Sequence, residues 1–393
     1  SIDLLQVKGV KCSSIASGIK KNNILDLSLI SLSKGSSTAA VFTQNIFCAA
    51  PVIVSKNHLN SNIEALLINS GNANAGTGER GLEDCYNTCV YLAEELEIKP
   101  EQVLPFSTGV IGEFLPLEAF KSNVNILVSS LSKNGMSKVA NGILTTDLVE
   151  KSYSTSINIG GKTVTLTGVA KGSGMIRPDM ATMLSFIVSD ISASKEELQD
   201  CLTHAVNQSF NRITVDGDTS TNDACSLSAT NQSGVQLSQC KGEFQKALNF
   251  VSKKLAQMIV KDGEGATKFV EIKIEGLESS EDCLEVAYTI AHSPLVKTAL
   301  FASDANWGRI LAAVGRAKVN GVSIENIDIY INGLQIIVSG EKSSTYTEEL
   351  GSAEMQKSEI IIRVNLGTTS LSESVWTTDL SYDYVKINAE YRS

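Results

Sequence analysis

Histidine, proline and tryptophan are scarce in this chain: 3, 6 and 2 residues in 393. The histidines, His58, His204 and His292, are too few and too dispersed to furnish a His-based metal centre. Eight cysteines are present, but no CxxC pair occurs, which argues against a zinc ribbon or a dithiol redox centre. Cys85 and Cys89, four apart, would share one face of a helix, and buried reduced thiols of a cytosolic protein are the expected state. No uninterrupted apolar run reaches the roughly 18 residues of a membrane span. The amino end, "SIDLLQVKGVKCSS", lacks the apolar core of a secretory signal, and an organelle-targeting leader could already have been removed. Basic blocks are missing too. With 33 Lys and Arg against 43 Asp and Glu, the net charge of -10 disfavours nucleic acid and anionic membrane surfaces as partners. A small anionic ligand is still allowed, since local positive charge can persist on an acidic protein.

What is present is a globular composition, 42% hydrophobic and 19% charged, long enough for one large or two to three smaller domains. Apolar periodicity predicts amphipathic helices over 81–96, 194–209 and 242–260, the second opened by Ser194 and Glu197 at capping-box spacing. Strands are expected at 38–43, 64–69, 162–170, 182–189, 269–274, 284–290, 328–332 and 359–365. No repeat and no Pro/Gly/Ser linker divides the chain. The polar stretches 231–240 and 339–347 read as surface loops, so tightly associated α/β layers are expected.

The stretch "KGSGMIRPDMATMLSFIVSD" (171–190) is over-specified for ordinary structure. Gly172 and Gly174 open backbone conformations closed to other residues, and Pro178 pushes Arg177 towards an extended one. The run from Met183 to Val188 has no polar face, as in a strand covered on both sides. Thr182 stands at its entrance. It is either a β-branched residue starting a strand or a nucleophile whose base is its own α-amine, freed by cleavage before it. The second role needs no histidine. A Walker-type phosphate loop is absent.

Other stretches share this character. "LINSGNANAGTGERG" (67–81) follows a strand with asparagines and glycines, and "PFSTGVIGE" (105–113) sets Thr108 and Gly109 in a turn. There a backbone N–H and a hydroxyl could converge as an oxyanion hole requires, or form an ordinary polar turn. In "NRITVDGDTSTNDACSL" (211–227), Asp216, Asp218 and Asp223 suggest calcium but lack the final Glu of an EF-hand loop, so a hydrogen-bonded turn is preferred. "KDGEGATKF" (261–269) sets Glu264 between two glycines as a ligand-facing carboxylate.

Together these stretches resemble the ornithine acetyltransferase (glutamate N-acetyltransferase) family of arginine biosynthesis. The resemblance is carried in order by "VKGVKCSSIASGIKK", "AAVFTQN", "NSGNANAGTG", "STGVIGE", "TTDLVEK", "KGSGMIRPDMATML", "FNRITVDGDTSTND", "KDGEGATKF", "DANWGRILAAVGRA" and "INAEYRS". It implies a four-layer α/β/β/α sandwich of the ornithine-acetyltransferase and DmpA type. It implies self-cleavage between Ala181 and Thr182 into an α chain, 1–181, and a β chain, 182–393, intertwined in one unit with room for a smaller C-terminal subdomain. Thr182 would then be the nucleophile that carries acetyl from N-acetylornithine to glutamate by a ping-pong route.

By the same resemblance, Thr108 and Gly109 are the oxyanion positions, and Thr145, Lys171, Glu264, Asn388 and Ser393 join Thr182 in binding substrate. No metal and no cofactor are implied, although acetyl-CoA could serve as a second acetyl donor. The implied assembly is an α2β2 heterotetramer in the cytoplasm, or in an organelle if a leader was removed. Arg177 and Asp179 stand where the family pattern leads one to expect a small residue and an asparagine, and Ser393 replaces a more usual terminal threonine. An N-terminal-nucleophile amidase or aminopeptidase of the same fold, passing its acyl group to water, is the alternative within enzymes. A non-catalytic binding protein that keeps an uncut chain is the alternative outside them.

Overall fold

A computed structural model describes residues 4–175 and 183–391. The chain divides into two compact units, one of residues 1–211 and 218–259, the other of 212–217 and 260–393. Thr182, Ala181, Arg177, Asp179 and Ser393 therefore lie outside the described residues.

The first unit holds β1 (Val10–Ile15), β2 (Leu27–Leu32), β3 (Ser37–Phe42), α1 (Ala50–His58), β4 (Ala65–Asn72), α2 (Gly78–Leu96) and β5 (Val103–Val110). There follow α3 (Leu117–Lys121), α4 (Val124–Ser129), α5 (Met136–Gly142), β6 (Lys151–Ile159), β7 (Lys162–Lys171) and β8 (Leu184–Ser189). The unit ends with α6 (Lys195–Asn207), β9 (Ala224–Ala229) and most of α7 (Lys241–Lys261). One sheet runs β1-β2-β4-β5 and the other β3-β9-β8-β7-β6. Strands from both sides of the 181/182 bond share that second sheet.

The two sheets face each other across one core. Ile30, Leu66, Ile68, Leu104 and Phe106 from the first meet Val169, Leu184, Phe186 and Val188 from the second. Phe106 and Phe186 pack edge to face with ring centroids 4.9 Å apart, the arrangement their quadrupoles favour. Helices cover the outer faces. Leu27, Leu29, Leu67 and Val103 turn away from the inter-sheet core onto Val54 of α1 and Cys85, Cys89 and Leu92 of α2. On the far side, Gly168 of β7 lets Leu255 and Val251 of α7 approach the second sheet closely. The architecture is an α/β/β/α sandwich, as expected.

The unbroken apolar run after Thr182 is explained by its place. All six residues of β8 are buried between neighbours β7 and β9, under the other sheet on one face and helices on the other. The cysteines behave as expected for packed thiols. All eight are free, seven are buried, and burial pushes Cys12 and Cys225 up to about 12, which keeps them protonated and inert.

The second unit is a separate α/β layer pair. It comprises β10 (Phe269–Glu275), α8 (Ser280–Ala291), α9 (Pro294–Phe301), α10 (Trp307–Arg316), β11 (Asp328–Ile331), β12 (Leu334–Val338) and β13 (Glu341–Lys342). It closes with α11 (Glu348–Met355), β14 (Glu359–Asn365), β15 (Ser372–Thr378) and α12 (Tyr382–Ala389). Its sheet runs β13-β12-β11-β14-β10-β15. Alternating burial along β10 and β14 shows one face turned to the core beneath α8 and α10.

Here one sequence expectation fails. Residues 284–290 form no strand but most of helix α8. The β-branched residues Val286, Thr289 and Ile290 suggest a strand, yet Cys283, Val286, Ala287 and Ile290 recur at helical spacing and are all buried. Ser279 starts the helix by accepting from Asp282 N at 3.1 Å. Where the capping box was expected it is present: Ser194 and Glu197 bond reciprocally at the start of α6.

Candidate active site

Thr108 and Gly109 do not sit in a turn. They end β5, whose neighbour β4 runs parallel to it, with Gly71 opposite Gly109. The register slips at Asn72, which pairs with both Thr108 and Val110. A bulge of this kind re-aims the backbone at a strand end. Gly109 has φ +135, and a Cβ there would lie 2.3 Å from Gly71 C and 2.5 Å from Asn72 N, both backbone atoms. Only glycine allows two strands to approach so closely at that point.

The asparagines of "NSGNANAG" hold this shape. Asn69 Nδ2 donates to Asn72 O at 2.9 Å, and Asn72 Nδ2 to Phe114 O at 3.0 Å. Asn74 N donates to Asn72 Oδ1 at 2.8 Å. From the far side Asn222 Nδ2 bridges Ala73 O and Ser107 O at 2.6 and 2.8 Å. These side chains replace ladder bonds lost at the bulge, so the strand ends are ordered although the backbone is irregular.

Lys171, the last residue of β7, is 3% exposed. Its Nζ donates to Thr108 Oγ1 at 3.0 Å and to Thr145 Oγ1 at 2.9 Å. Three residues from separate elements thus converge. By accepting from Lys171, the Thr108 hydroxyl turns its own proton away from the ammonium, as a donor to an oxyanion must. Lys171 also stands opposite Leu184 in the β7/β8 register, and Leu184 follows Thr182 by two residues.

Two carboxylates complete the surroundings: Asp147, which the sequence did not single out, and Asp223, which it offered only as part of a calcium-like loop. Asp147 forms an ion pair with Lys151 at 2.6 Å, with both side chains wholly buried. It also accepts from Gly172 N at 2.8 Å, tying the 145–147 segment to the glycine loop. Burial alone would raise its pKa, but the charges of Lys171 and Lys151 and the bonds from Lys151 and Gly172 hold it at about 2. The spacing of Asp147 and Lys151 within "TTDLVEK" was the available signal.

Asp223 lies in "TSTND" and is 1% exposed. Its Oδ1 accepts from Met183 N at 2.9 Å, directly after Thr182 in the chain, and its Oδ2 meets no hydrogen-bond partner among the described residues. Burial drives its pKa well above the ordinary carboxylate range, against the bonds from Met183 and Ser220 and the charge of Lys171. Asp216 accepts instead from Tyr384 at 3.0 Å. Among the described residues no group of three or more His, Cys, Asp and Glu is placed to hold a metal ion.

Glu264 belongs to the second unit, in the turn after α7, and is 7% exposed. Gly265 has φ +68, and its carbonyl accepts from Ser381 Oγ at 2.6 Å, which clamps the turn to the start of α12. Asn388 is carried by that helix and is exposed, with its Nδ2 donating to Tyr384 O at 3.0 Å. Lys171, Thr108 and Thr145 are thus assembled in one unit, and Glu264 and the helix bearing Asn388 in the other.

The Asp147–Lys151 pair carries a stability prediction. Asp147→Asn strands a buried ammonium and should cost about 3–5 kcal/mol at pH 7. A carboxyl lowered from 3.8 to about 2 stabilises the fold above pH 4, and that contribution is lost as pH falls through 2. Denaturant unfolding across pH should therefore show the deficit of the variant constant near neutrality and shrinking between pH 4 and 2.

Sandwich and site together define a class: an acyl-transfer enzyme with a hydroxyl and a bulged glycine strand end gathered around a buried lysine. The chain belongs to the ArgJ family, whose model matches residues 11–393. It is 49% identical to the arginine biosynthesis bifunctional protein ArgJ of Pseudomonas syringae pv. tomato, over 98% of this chain and 97% of that one. The Pseudomonas fluorescens protein of the same description is 48% identical over the same shares. The crystal structure of the arginine biosynthesis bifunctional protein argJ from Bacillus halodurans aligns with TM-score 0.51 and 39% identity, covering 53% of this chain and all of that one.

Proposed function

We propose that the chain is a glutamate N-acetyltransferase of arginine biosynthesis, which moves acetyl from N2-acetylornithine to glutamate through an acetyl ester of Thr182. The single observation that carries this reading is the position of Lys171, joined to Thr108 and Thr145 and in register with the strand that Thr182 precedes. Activation begins with attack of the Thr182 hydroxyl on the Ala181 carbonyl, an N-to-O acyl shift, and hydrolysis of the resulting ester. The freed α-amine, with an ordinary pKa near ~8, is then available as base.

In the first half-reaction Thr182 Oγ attacks the acetyl carbonyl while its proton passes to the α-amine. The tetrahedral oxyanion is met by the Thr108 hydroxyl and the Gly109 N–H. The C–N bond breaks, the amine proton returns to the leaving nitrogen, and ornithine departs. The α-amino group of glutamate then attacks the acetyl-threonine ester, and Thr182 leaves as the alcohol. Both substrates carry a carboxylate and an amine, so opposite charges are needed around them. Lys171 serves the anionic groups and Glu264 the ammonium, with Thr145, Asn388 and Ser393 as further contacts.

This course uses no cofactor, and acetyl-CoA acts as a second donor to the same threonine, in keeping with the description of the Pseudomonas relatives as bifunctional. Two α and two β chains form the working assembly, located in the cytoplasm. Among the described residues no helix is long and apolar enough to cross a membrane.

The test follows ornithine release from N-acetylornithine with and without glutamate. Glutamate should raise turnover manyfold and appear as N-acetylglutamate. Equal release in both cases would assign the chain to the water-using amidases of this fold instead. Acetyl-CoA as sole donor measures the second activity.

A further inference from the structure

A second lysine reaches this site from an element that shares no strand with Lys171. Lys20 belongs to the loop between β1 and β2, and that loop is built around Asp26, which is wholly buried. Asp26 Oδ1 accepts from Ser17 N and Ser17 Oγ, both at 2.7 Å, and Asp26 Oδ2 from Lys20 N at 2.8 Å. The backbone of Lys20 is thus pinned, and so is the direction in which its side chain leaves.

That side chain crosses the bulged strand pair. A Cβ on Gly71 would lie 3.0 Å from Lys20 Cγ, and Gly71 is the register partner of Gly109. Further out, Lys20 Nζ donates to Leu144 O, the carbonyl directly before Thr145. Lys20 therefore spans from the oxyanion strands to the segment whose threonine binds Lys171.

We propose that Lys20 is a specificity-determining residue of the acetyl-transfer site, whose ammonium takes the second carboxylate of a dicarboxylic amino-acid acceptor while Lys171 takes the first. The inference rests on the acetyl-transfer reading above. Glutamate brings two carboxylates, whereas N-acetylornithine brings one carboxylate and a cationic side chain. A second cation thus serves the acceptor half-reaction and gives the donor nothing. The charge balance suits this. Asp147 is already spent on Lys151, and Asp26 on the loop backbone.

The Lys20 ammonium is pushed down to about 8, by burial first and then by the positive charge of Lys171, with Asp26 and Asp147 opposing. Among the described residues, Lys171, Asp26 and Asp147 are the charged groups that act on it. A lysine with a lowered pKa keeps its charge at pH 7 and loses it as pH rises through 8, so preference for an anionic side chain should fade in that range. Crowding two cations costs the free site, and an incoming dicarboxylate relieves that cost.

The experiment compares Lys20→Met and Lys20→Arg with the wild-type protein. In a ping-pong route, kcat/KM for each substrate reports its own half-reaction. Lys20→Met should lower kcat/KM for glutamate by about tenfold or more, the effect of losing one charge-assisted hydrogen bond, and leave that for N-acetylornithine within about threefold. Lys20→Arg should recover most of the loss and retain glutamate preference above pH 8. Equal losses for both substrates, or none for glutamate, would overturn the proposal.

Should the wild-type protein transfer no acetyl between these substrates, the proposed function fails and Lys20 is tested by calorimetry alone. Glutamate should then bind more tightly than glutamine to the wild-type protein but not to Lys20→Met. A wild-type protein without that preference refutes the role of Lys20.

Discussion

Thr182→Ala should leave the chain as one full-length species and abolish acetyl transfer. Both effects follow from one atom. In the proposed mechanism the hydroxyl is the attacking group in the N-to-O shift that would sever Ala181–Thr182, and again in capture of the acetyl group. Alanine has no nucleophile to offer, and without cleavage no α-amine is freed to act as base. Denaturing gels with intact mass should show fragments 1–181 and 182–393 for the wild-type protein and neither for the variant. Thr182→Ser is the informative partner, because it keeps the oxygen and should cleave and turn over at a reduced rate. Activity surviving in Thr182→Ala would remove the threonine from the mechanism altogether.

Gly109→Ala should come next in severity. The added Cβ would stand 2.3 Å from Gly71 C and 2.5 Å from Asn72 N, on a backbone with φ +135. Neither neighbour is a side-chain tip able to swing aside, so β4 and β5 must part at the bulge that carries the proposed oxyanion donors, Thr108 and Gly109. Loss of one oxyanion donor is worth on the order of 10²–10³ in kcat. The strand separation and strain should cost about 2–4 kcal/mol in stability as well. Gly112→Ala is the matching control. Gly112 also has a left-handed backbone, φ +88, but nothing lies within 4 Å of its Cβ position. It should lose only about 1–2 kcal/mol from the conformational preference. Chemical unfolding separates the two contributions. Equal stability loss in both variants would mean that the strands around Gly109 yield more easily than their spacing implies.

Much of this site could be seen in the one-dimensional pattern, and its failures have particular causes. The apolar run after Thr182 has no polar face, and β8 is indeed covered on both sides. Thr108 and Gly109 were recognisable as special, yet they look like a turn because serine, threonine and glycine cluster in turns. They end a strand only because β4, some forty residues earlier, lies parallel to β5 and slips register at Asn72. Residues 284–290 mislead for the opposite reason. Their β-branched side chains favour a strand locally, and burial of one helical face against the third sheet decides otherwise. The three asparagines of the 69–74 stretch are chemically plausible in a site, but the amides of Asn69 and Asn72 hold the backbone around the bulge and that of Asn74 donates to Gly81 O at the start of α2.

By itself the sequence determined the kind of residues available: hydroxyls, glycines and lysines in place of histidines, a doubly buried strand, and ordered motifs that mark one family. Residue type and spacing along a strand or helix are local quantities, so they can be read from order alone. Only the tertiary structure decided which lysines meet. Lys171 touches Thr108, 63 residues away, and Lys20 touches the carbonyl of Leu144, 124 residues away. The charge of each then depends on burial and on neighbours from other elements: Asp147 held at about 2, Asp223 driven upward, Lys20 lowered to about 8. Coulomb energy falls with distance in space and grows as water is excluded, and neither distance nor exclusion of water is encoded by position in the chain.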